Sequence, residues 1–150
     1  IVGSMIEFLD SFVRFRRAAN LLAVQAFKPL GLGNKQAAVL LYLSREGHCS
    51  QADLARHTIT DPAATGRIVT SLIRCACVAQ KEHPTDRRRW VLSLTPKGRG
   101  LAAQVETIYR GVAAVVVRPL SAAGQRNLVA TLDRLTLALA ERKPQKKERL

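Results

Sequence analysis

Aromatic residues, histidines and cysteines are all scarce in this 150-residue chain. Aromatic residues make up 5% of it, and there are three histidines and three cysteines. So few aromatic side chains argue against a stacking platform for single-stranded nucleic acid. Three cysteines without the spacing of a disulfide framework favour a reducing compartment over a secreted, cross-linked scaffold, so we expect a cytoplasmic protein.

Long hydrophobic runs and a targeting segment are also missing. Charges or prolines interrupt every long apolar segment, and none approaches the roughly 18 to 20 residues that a bilayer span needs. We therefore expect no membrane partner. The first residues lack the positive start and the cleavage site of a signal peptide. Gly3-Ser4 before Met5 resembles a vector-derived remnant, so residues 1–4 are left out of the fold prediction.

Motifs for catalysis and for cofactor binding are absent from the sequence. The serines and threonines stand in no nucleophile-elbow pattern, and there is no phosphate-binding loop. His48, His57 and His83 each fall near a predicted helix end or turn, where histidines are usually exposed. Gly31-Leu32-Gly33 starts like a dinucleotide loop, but Gln36 stands where the third glycine belongs. We therefore predict that the protein is not an enzyme and uses no cofactor or metal.

Positive charge is abundant. The chain has 24 Lys and Arg residues against 11 Asp and Glu residues, a net charge of +13. This excess indicates a polyanionic partner, and the shortage of aromatic residues favours a duplex. Arg87-Arg88-Arg89 stand between Pro84 and the apolar segment Trp90–Leu94, so we expect them at the projecting tip of a hairpin. The basic run at 143–147 is interpreted as a solvated tail.

Apolar periodicity and capping residues predict six helices and two strands. The first helix spans Met5–Lys28 and stops at Pro29. The other five are predicted to begin at Asn34, Ser50, Asp61, Thr95 and Ser121, and the first four of these to end near Gly47, His57, Cys75 and Pro119. The strands are Val78–Lys81 and Trp90–Leu94.

The middle of the chain combines two short helices with a two-stranded hairpin. This order is that of a helix-turn-helix followed by a wing, an arrangement that binds duplex DNA. The fourth helix is expected to enter the major groove with its positive N-terminal end toward the phosphates. The predicted fold is therefore mainly α with a small β-wing, an α+β winged helix-turn-helix lobe flanked by N- and C-terminal helices.

Three segments carry a family resemblance: Ser50-Gln51-Ala52-Asp53-Leu54-Ala55, Asp61-Pro62-Ala63 leading into Arg67–Leu72, and Asp86-Arg87-Arg88 followed by Leu92–Gly98. Together they resemble the MarR family of bacterial winged-helix transcription regulators across nearly the whole chain. The wing signature, Asp-x-Arg followed by Leu-Thr-x-x-Gly, is the most specific part of the match. The resemblance implies a homodimer that binds a palindromic DNA operator, acts as a repressor, and is often released by a small ligand, an oxidant or a metal.

The resemblance also implies roles for individual residues. Arg67 matches the family's base-reading position, Arg88 matches the wing arginine, and Asp86 matches the acidic residue that shapes the wing. Ser50 and Gln51 match phosphate-contacting positions. The other residues that we expect to contact DNA are Pro62, Ala63, Ala64, Thr65, Thr70, Arg74, Arg87 and Arg89. The family's ligand pocket lies between the dimer helices and the DNA-binding lobe, so its expected liners, if they are not core residues, are Phe12, Phe15, Arg16 and Trp90.

The implied organisation has four parts. Residues 5–33 form the N-terminal helix of the dimerisation region, residues 34–100 the DNA-binding lobe, residues 101–142 the C-terminal dimerisation helices, and residues 143–150 the basic tail.

Several residues depart from the family pattern. Ala64 and Gly66 replace polar residues just inside the recognition helix, which leaves few side-chain hydrogen bonds to bases. Gly66 is interpreted as a tolerated defect, although a close approach of DNA to the backbone would also favour it. Ala76 stands where relatives usually have a glycine with left-handed backbone, which puts that turn in question. The first helix lacks the cysteine of oxidant-sensing relatives.

Two alternative functions stay open at this point. The high positive charge and the weak hydrogen-bonding face are also compatible with an architectural protein that coats DNA without reading its sequence. The second alternative is a thiol- or metal-responsive regulator. It would use Cys49, which stands before a helix N-terminus, or the pair Cys75 and Cys77. Cys75 and Cys77 equally fit small buried apolar residues at the end of a helix.

Overall fold

The computed structural model describes residues 2–58, 60–83 and 86–140, without the side chains of residues 2, 83, 86–89 and 140. The elements follow in the order α1 Val2–Phe27, a 3-10 turn Lys28–Leu30, α2 Asn34–Glu46, β1 His48–Cys49, α3 Gln51–Thr58, α4 Pro62–Arg74, β2 Val78–His83, β3 Asp86–Leu94, α5 Pro96–Val117 and α6 Ala122–Ala140. The basic tail, residues 143–150, lies outside the described residues.

The strands form one antiparallel sheet in the order β1-β3-β2. Cys49 pairs with Leu92, and Val78 pairs with Leu94, so the base of the hairpin is joined to the segment before α3. The mainly helical fold with a small β-wing is confirmed, and the helix-turn-helix α3-α4 leads directly into the hairpin β2-β3 as the sequence predicts.

The chain divides into two compact units, Ile1–Ala113 and Ala114–Leu150. The first contains the core, in which α2, α3, α4, the sheet and the first half of α5 bury their apolar faces together. Its fully buried larger apolar side chains are Phe27, Leu40, Leu43, Leu54, Leu72, Leu92, Val39, Val78 and Val105. This core holds α4 and the wing in fixed positions, which is what a recognition surface requires.

Helix α1 contributes little to this core. Among residues 3–27 only Phe27 is buried, and its ring packs edge-on against Tyr109 of α5 with the ring centroids 4.9 Å apart. Nine other large apolar side chains of α1 are about half exposed: Met5, Ile6, Phe8, Leu9, Phe12, Val13, Phe15, Leu21 and Val24. A helix of 26 residues with so much exposed apolar surface is typical of a surface that another chain covers.

The second unit contains the end of α5 and α6. Ser121 caps α6 as predicted, because its Oγ accepts a hydrogen bond from the amide of Gly124 at 3.2 Å. This helix also exposes large apolar residues, namely Val129, Leu132, Leu135, Leu137 and Leu139.

Several predicted boundaries were wrong. Helix α1 begins at Val2 instead of Met5, so residues set aside as a remnant are helical. Gly33, not Asn34, is the N-cap of α2, and its amide donates to Oε1 of Gln36 at 2.9 Å. The sequence prediction missed β1, because two residues are too short for an alternating pattern. Both wing strands are longer than predicted.

The prediction that no apolar segment approaches the length of a bilayer span needs a correction. Among the described residues, α5 is long and apolar enough to cross a membrane by length and composition. One such helix is weak evidence, since core helices of globular proteins pass the same test, and Gly98, Ala102 and Val105 of α5 are buried in the first unit.

Candidate nucleic-acid interface

Helix α4 presents two opposite faces. Asp61 and Pro62 begin it as predicted: a carboxylate oxygen of Asp61 accepts from the amide of Ala64 at 2.8 Å, and Pro62 occupies the first turn. One face is buried in the core through Thr65, Val69 and Leu72. The opposite face, which we call the α4 stripe, consists of the exposed residues Ala63, Arg67, Thr70 and Arg74. Steps of four, three and four residues align the α4 stripe along one side of the helix.

The N-terminus of α4 is already occupied by a carboxylate. The hydrogen bond from the amide of Ala64 lowers the pKa of Asp61, and the nearby Arg67 lowers it further. Asp61 is therefore ionised at neutral pH and partly neutralises the positive end of the helix. The carboxylate of Asp61 weakens the expectation that the N-terminal end of α4 faces phosphate. The positive charge that α4 offers to DNA is then that of the guanidinium groups of Arg67 and Arg74.

Thr65 was wrongly predicted as a DNA contact. Its side chain is 1% exposed, and its hydroxyl donates to the carbonyl of Asp61 at 3.0 Å. The bond within the helix satisfies the hydroxyl, so a polar residue is tolerated in the core. Ala64 is half-buried, whereas Pro62 and Ala63 are exposed.

The start of α3 lies against the start of α4. Ser50 caps α3 as predicted: its hydroxyl donates to the carboxylate of Asp53 at 2.6 Å, and the amide of Asp53 donates back to that hydroxyl at 3.2 Å. The amide group of Gln51 donates to the carbonyl of Pro62 at 3.5 Å. A Cβ on Gly66 would lie 3.2 Å from this Gln51 nitrogen, so Gly66 leaves room for the contact between the two helices.

A contact that the sequence prediction missed fixes the middle of α4. The side chain of Gln36 accepts from the Gly33 amide and donates to the hydroxyl of Ser71 at 2.7 Å. Gln36 thereby joins the first turn of α2 to the recognition helix. In the sequence Gln36 only interrupts a dinucleotide motif, and nothing in the local pattern indicates a partner 35 residues away.

The wing differs from the predicted hairpin in where its arginines lie. Strand β3 begins at Asp86, so Arg87, Arg88 and Arg89 belong to a strand and not to the turn. The pairing passes from His83 with Asp86 to Glu82 with Trp90, which marks an irregular register at this end of the hairpin. Irregular pairing of this kind bends a strand and re-aims its side chains. The side chains of residues 86–89 lie outside the description, so their roles stay predictions.

The junction between α4 and the wing is held by the start of α5. Ala76 has a left-handed backbone with a φ of 57°, so the turn keeps the geometry in which relatives carry glycine. The hydroxyl of Thr95 lies 2.7 Å from the carbonyl oxygen of Ala76, and Lys97 donates to that of Cys75 at 2.8 Å. The backbone of Gly98 packs against the carbonyl of Cys77, where a Cβ would come within 1.9 Å of the oxygen. The family's Thr-x-x-Gly signature therefore has a structural reason in this chain.

The cysteines are placed differently from one another. Cys49 lies in β1 with 7% exposure, and burial raises the pKa of its thiol to about 11. Burial therefore argues against the alternative in which Cys49 supplies a reactive thiolate, because desolvation outweighs the nearby helix end. Cys75 is exposed and Cys77 is buried, with their sulfurs 3.3 Å apart. No group of three His, Cys, Asp or Glu side chains suited to a metal is found among the described residues.

The predicted ligand-pocket residues do not line the cavity that α2, α3 and α5 form. A cavity of about 340 Å³ lies on α2, α3 and α5, where the ring of His57 stacks on Tyr42 with centroids 4.1 Å apart and Arg45 and Tyr109 complete the wall. Trp90 is half exposed and lines a different groove with Ser50 and Gln51. Phe12, Phe15 and Arg16 are exposed on α1. Their part in ligand binding stays a prediction.

Comparisons with known proteins agree with this geometry. The family model described as MarR family matches residues 30–89. The repressor Rv2887 of Mycobacterium tuberculosis, an HTH-type transcriptional repressor, is 33% identical over 110 residues, covering 73% of this chain and 79% of the relative. Its crystal structure superposes with a TM-score of 0.63 at 30% identity, covering 83% of this chain and 90% of that one.

More distant solved structures share the fold. A MarR mutant from E. coli, solved in complex with operator DNA, matches with a TM-score of 0.79 at 18% identity, covering 90% of this chain and 97% of that chain. A MarR transcriptional regulator from Methanosarcina mazei matches with a TM-score of 0.80 at 21% identity, covering 90% of this chain and 98% of the other. Taken with the identity to the mycobacterial repressor, the winged helix-turn-helix and its Thr-x-x-Gly junction show that this chain belongs to the MarR family of transcriptional regulators, which are DNA-binding proteins and not enzymes.

Proposed function

We propose that the protein is a homodimeric repressor that binds a pseudo-palindromic DNA operator in a sequence-specific way. The observation that carries the proposal is the α4 stripe, in which Arg67, Thr70 and Arg74 stand on the face opposite the core. Arginine in a major groove reads guanine through two hydrogen bonds, and each such pair contributes about 1–3 kcal/mol of discrimination. The E. coli relative bound to operator DNA supports the same use of this fold.

The proposed dimer is supported by the apolar surfaces that each unit leaves exposed. Helices α1 and α6 expose the large apolar residues named above, more than an isolated chain normally leaves in water. In this proposal residues 5–33 and 101–142 bury each other across a two-fold axis, and residues 34–100 form the DNA-binding lobe. Two lobes related by that axis would place the recognition helices about 34 Å apart, one helical turn of DNA.

A small-molecule effector is part of the proposal. The cavity beside Tyr42 and Arg45 falls in the size range of ligand pockets, and it lies on α2, which also holds α4 through Gln36. An effector acts there only if it binds the DNA-competent and incompetent arrangements with different affinities.

The test uses a duplex selected from a random pool and measures its affinity by fluorescence anisotropy. Arg67→Ala and Arg88→Ala are compared with Lys35→Ala, which removes one positive charge from an exposed position on α2, outside the α4 stripe and the proposed dimer helices. We expect Arg67→Ala to bind about 5- to 150-fold more weakly, the equivalent of about 1–3 kcal/mol, and Arg88→Ala to reduce the salt dependence by about one neutralised phosphate. Both variants should form the parent's dimer. If Arg67→Ala bound the operator as tightly as Lys35→Ala, the α4 stripe would not be part of the DNA interface.

The alternative, an architectural protein that coats DNA, draws on the net charge of +13. Unrelated duplex displaces a coating protein from DNA as readily as the selected duplex does. A repressor instead prefers its operator over unrelated duplex by about a thousandfold or more. Competition with unrelated duplex at physiological salt therefore separates the two functions.

A further inference from the structure

The pair Cys75 and Cys77 forms a compact two-thiol cluster outside the α4 stripe. The sulfur atoms are 3.3 Å apart, and Cys75 is exposed while Cys77 is 1% exposed. They lie in the turn between α4 and β2, with Ala76 in left-handed backbone between them. This backbone turns the two side chains to the same side of the chain. Side chains two residues apart share a side in a strand as well, but not in a helix.

The turn that holds the two thiols is fixed by its surroundings. The carbonyl oxygen of Cys75 accepts from Lys97 at 2.8 Å, and that of Cys77 accepts from the amide of Thr95 at 3.1 Å. The amide of Cys77 donates to the carbonyl of Leu72 at 2.9 Å, and the Gly98 backbone packs against the Cys77 carbonyl. A ligand that joins both sulfurs therefore meets a preorganised pair and loses little affinity to ordering the chain.

The separation of the sulfurs selects the kind of ligand. Two sulfurs bound to one central atom at about 2.3 Å, with an angle of about 90–110°, lie about 3.3–3.8 Å apart. The observed 3.3 Å is at the narrow end of this range. A linear two-coordinate ion would need the sulfurs more than about 4 Å apart, and a disulfide would need them at about 2.05 Å. The separation of the two sulfurs therefore matches a bent, pyramidal centre.

The number of donors narrows the choice further. Structural zinc takes four ligands, and the described residues contain no third His, Cys, Asp or Glu grouped with these two thiols. A trivalent arsenical needs only two thiolates, because its third position carries its own substituent, and soft thiol ligands suit such a centre. We infer that Cys75 and Cys77 form a chelating site for trivalent organoarsenicals of the type R–As(OH)2.

The binding step is a ligand exchange without a change of oxidation state. The exposed Cys75 reacts first: one As–S bond forms, one As–O bond breaks, and the thiol proton leaves with the hydroxide as water. Cys77 then displaces the second hydroxide in the same way, so that two thiols and R–As(OH)2 give R–As(S–Cys)2 and two waters. Burial raises the pKa of the Cys77 thiol, so its proton is present at neutral pH and is the one released in the second exchange.

Phenylarsine oxide is a suitable probe for the full-length reduced protein. The test incubates both with an excess of 2-mercaptoethanol and measures bound arsenical by native mass spectrometry. We expect one arsenical per chain, because two fixed thiols outcompete separate monothiols by about 100-fold or more. Ethanedithiol, which also chelates, should remove it.

Three variants decide the assignment. Cys75→Ser and Cys77→Ala should each retain the arsenical about 100-fold less well than the parent, whereas Cys49→Ala should bind it as the parent does. Cys77→Ala removes a buried side chain, so Cys75→Ser, at an exposed position, carries the test if the other variant unfolds. The inference is overturned if the parent retains no arsenical against the monothiol, if Cys75→Ser retains it fully, or if Cys49→Ala loses it. None of these outcomes depends on DNA binding.

Discussion

Replacing Gly98 with alanine should destabilise the protein, because the new methyl group would overlap the backbone of Cys77, in the turn that leads into the wing. The added Cβ would lie 1.9 Å from the carbonyl oxygen of Cys77 and 2.9 Å from its carbonyl carbon. Neither atom can rotate away, since the same carbonyl accepts a hydrogen bond from the amide of Thr95. The start of α5 or the end of α4 must therefore move.

The size of the effect is a balance of two contributions. Overpacking costs about 1–3 kcal/mol, and an overlap with backbone belongs at the upper end of that range. Alanine recovers about 1 kcal/mol from its higher helix propensity. The expected net loss in the free energy of unfolding is about 2 kcal/mol, which lowers Tm by about 4–8 °C for a chain of this length.

Gly100→Ala is the matched control, because a Cβ at Gly100, in the same helix, meets nothing within 4 Å. It should gain up to about 1 kcal/mol. Urea unfolding of both variants at one protein concentration measures the difference, since the stability of a dimer depends on concentration. If Gly98→Ala were as stable as Gly100→Ala, the close packing of α5 on the wing would be refuted.

Three further predictions rest on local geometry. Ala76→Gly should raise the free energy of unfolding by about 0.5–1 kcal/mol in urea titrations, because glycine relieves the left-handed backbone; an unchanged midpoint would contradict that strain. Gly66→Ala should raise Tm, since the nearest atom is the flexible end of Gln51, and should leave operator affinity unchanged within about twofold; a larger loss of affinity would instead mark a close approach of DNA. Folding raises the pKa of Cys49, so the folded protein favours the neutral thiol. The contribution of this thiol to the free energy of unfolding is complete below the unfolded pKa of about 8.5 and is lost as pH rises toward about 11. Thermal melts should therefore show parent stability falling relative to Cys49→Ala between pH 8.5 and 11; parallel curves would contradict the buried thiol.

The helix-turn-helix could be predicted from the sequence because its signals are local. Asp61-Pro62 and the pair Ser50 and Asp53 act within one turn of chain, and the structure confirms the caps they form. The wing was underestimated because its outer residues are polar and charged and carry no alternating apolar pattern.

The errors in the site came from tertiary contacts. From its sequence position Thr65 is expected to contact DNA as a polar residue. In the structure its side chain is buried, and its hydroxyl donates to the carbonyl of Asp61. From its sequence position before a helix N-terminus Cys49 fits an activated thiol. In the structure its strand pairs with that of Leu92, and burial raises the pKa of the thiol. The contact of Gln36 with Ser71 joins residues 35 apart, a separation at which no sequence pattern in a single chain gives a signal.

A chemical footprint of the selected operator tests the central claim most directly. Methylation of guanine N7 reports contacts in the major groove, which is the edge that arginine reads. The account predicts two protected segments centred about 10 base pairs apart, one for each α4, and loss of protection at the guanine read by Arg67 when Arg67→Ala is used. Uniform protection, a single protected segment, or an unchanged footprint with Arg67→Ala would contradict it.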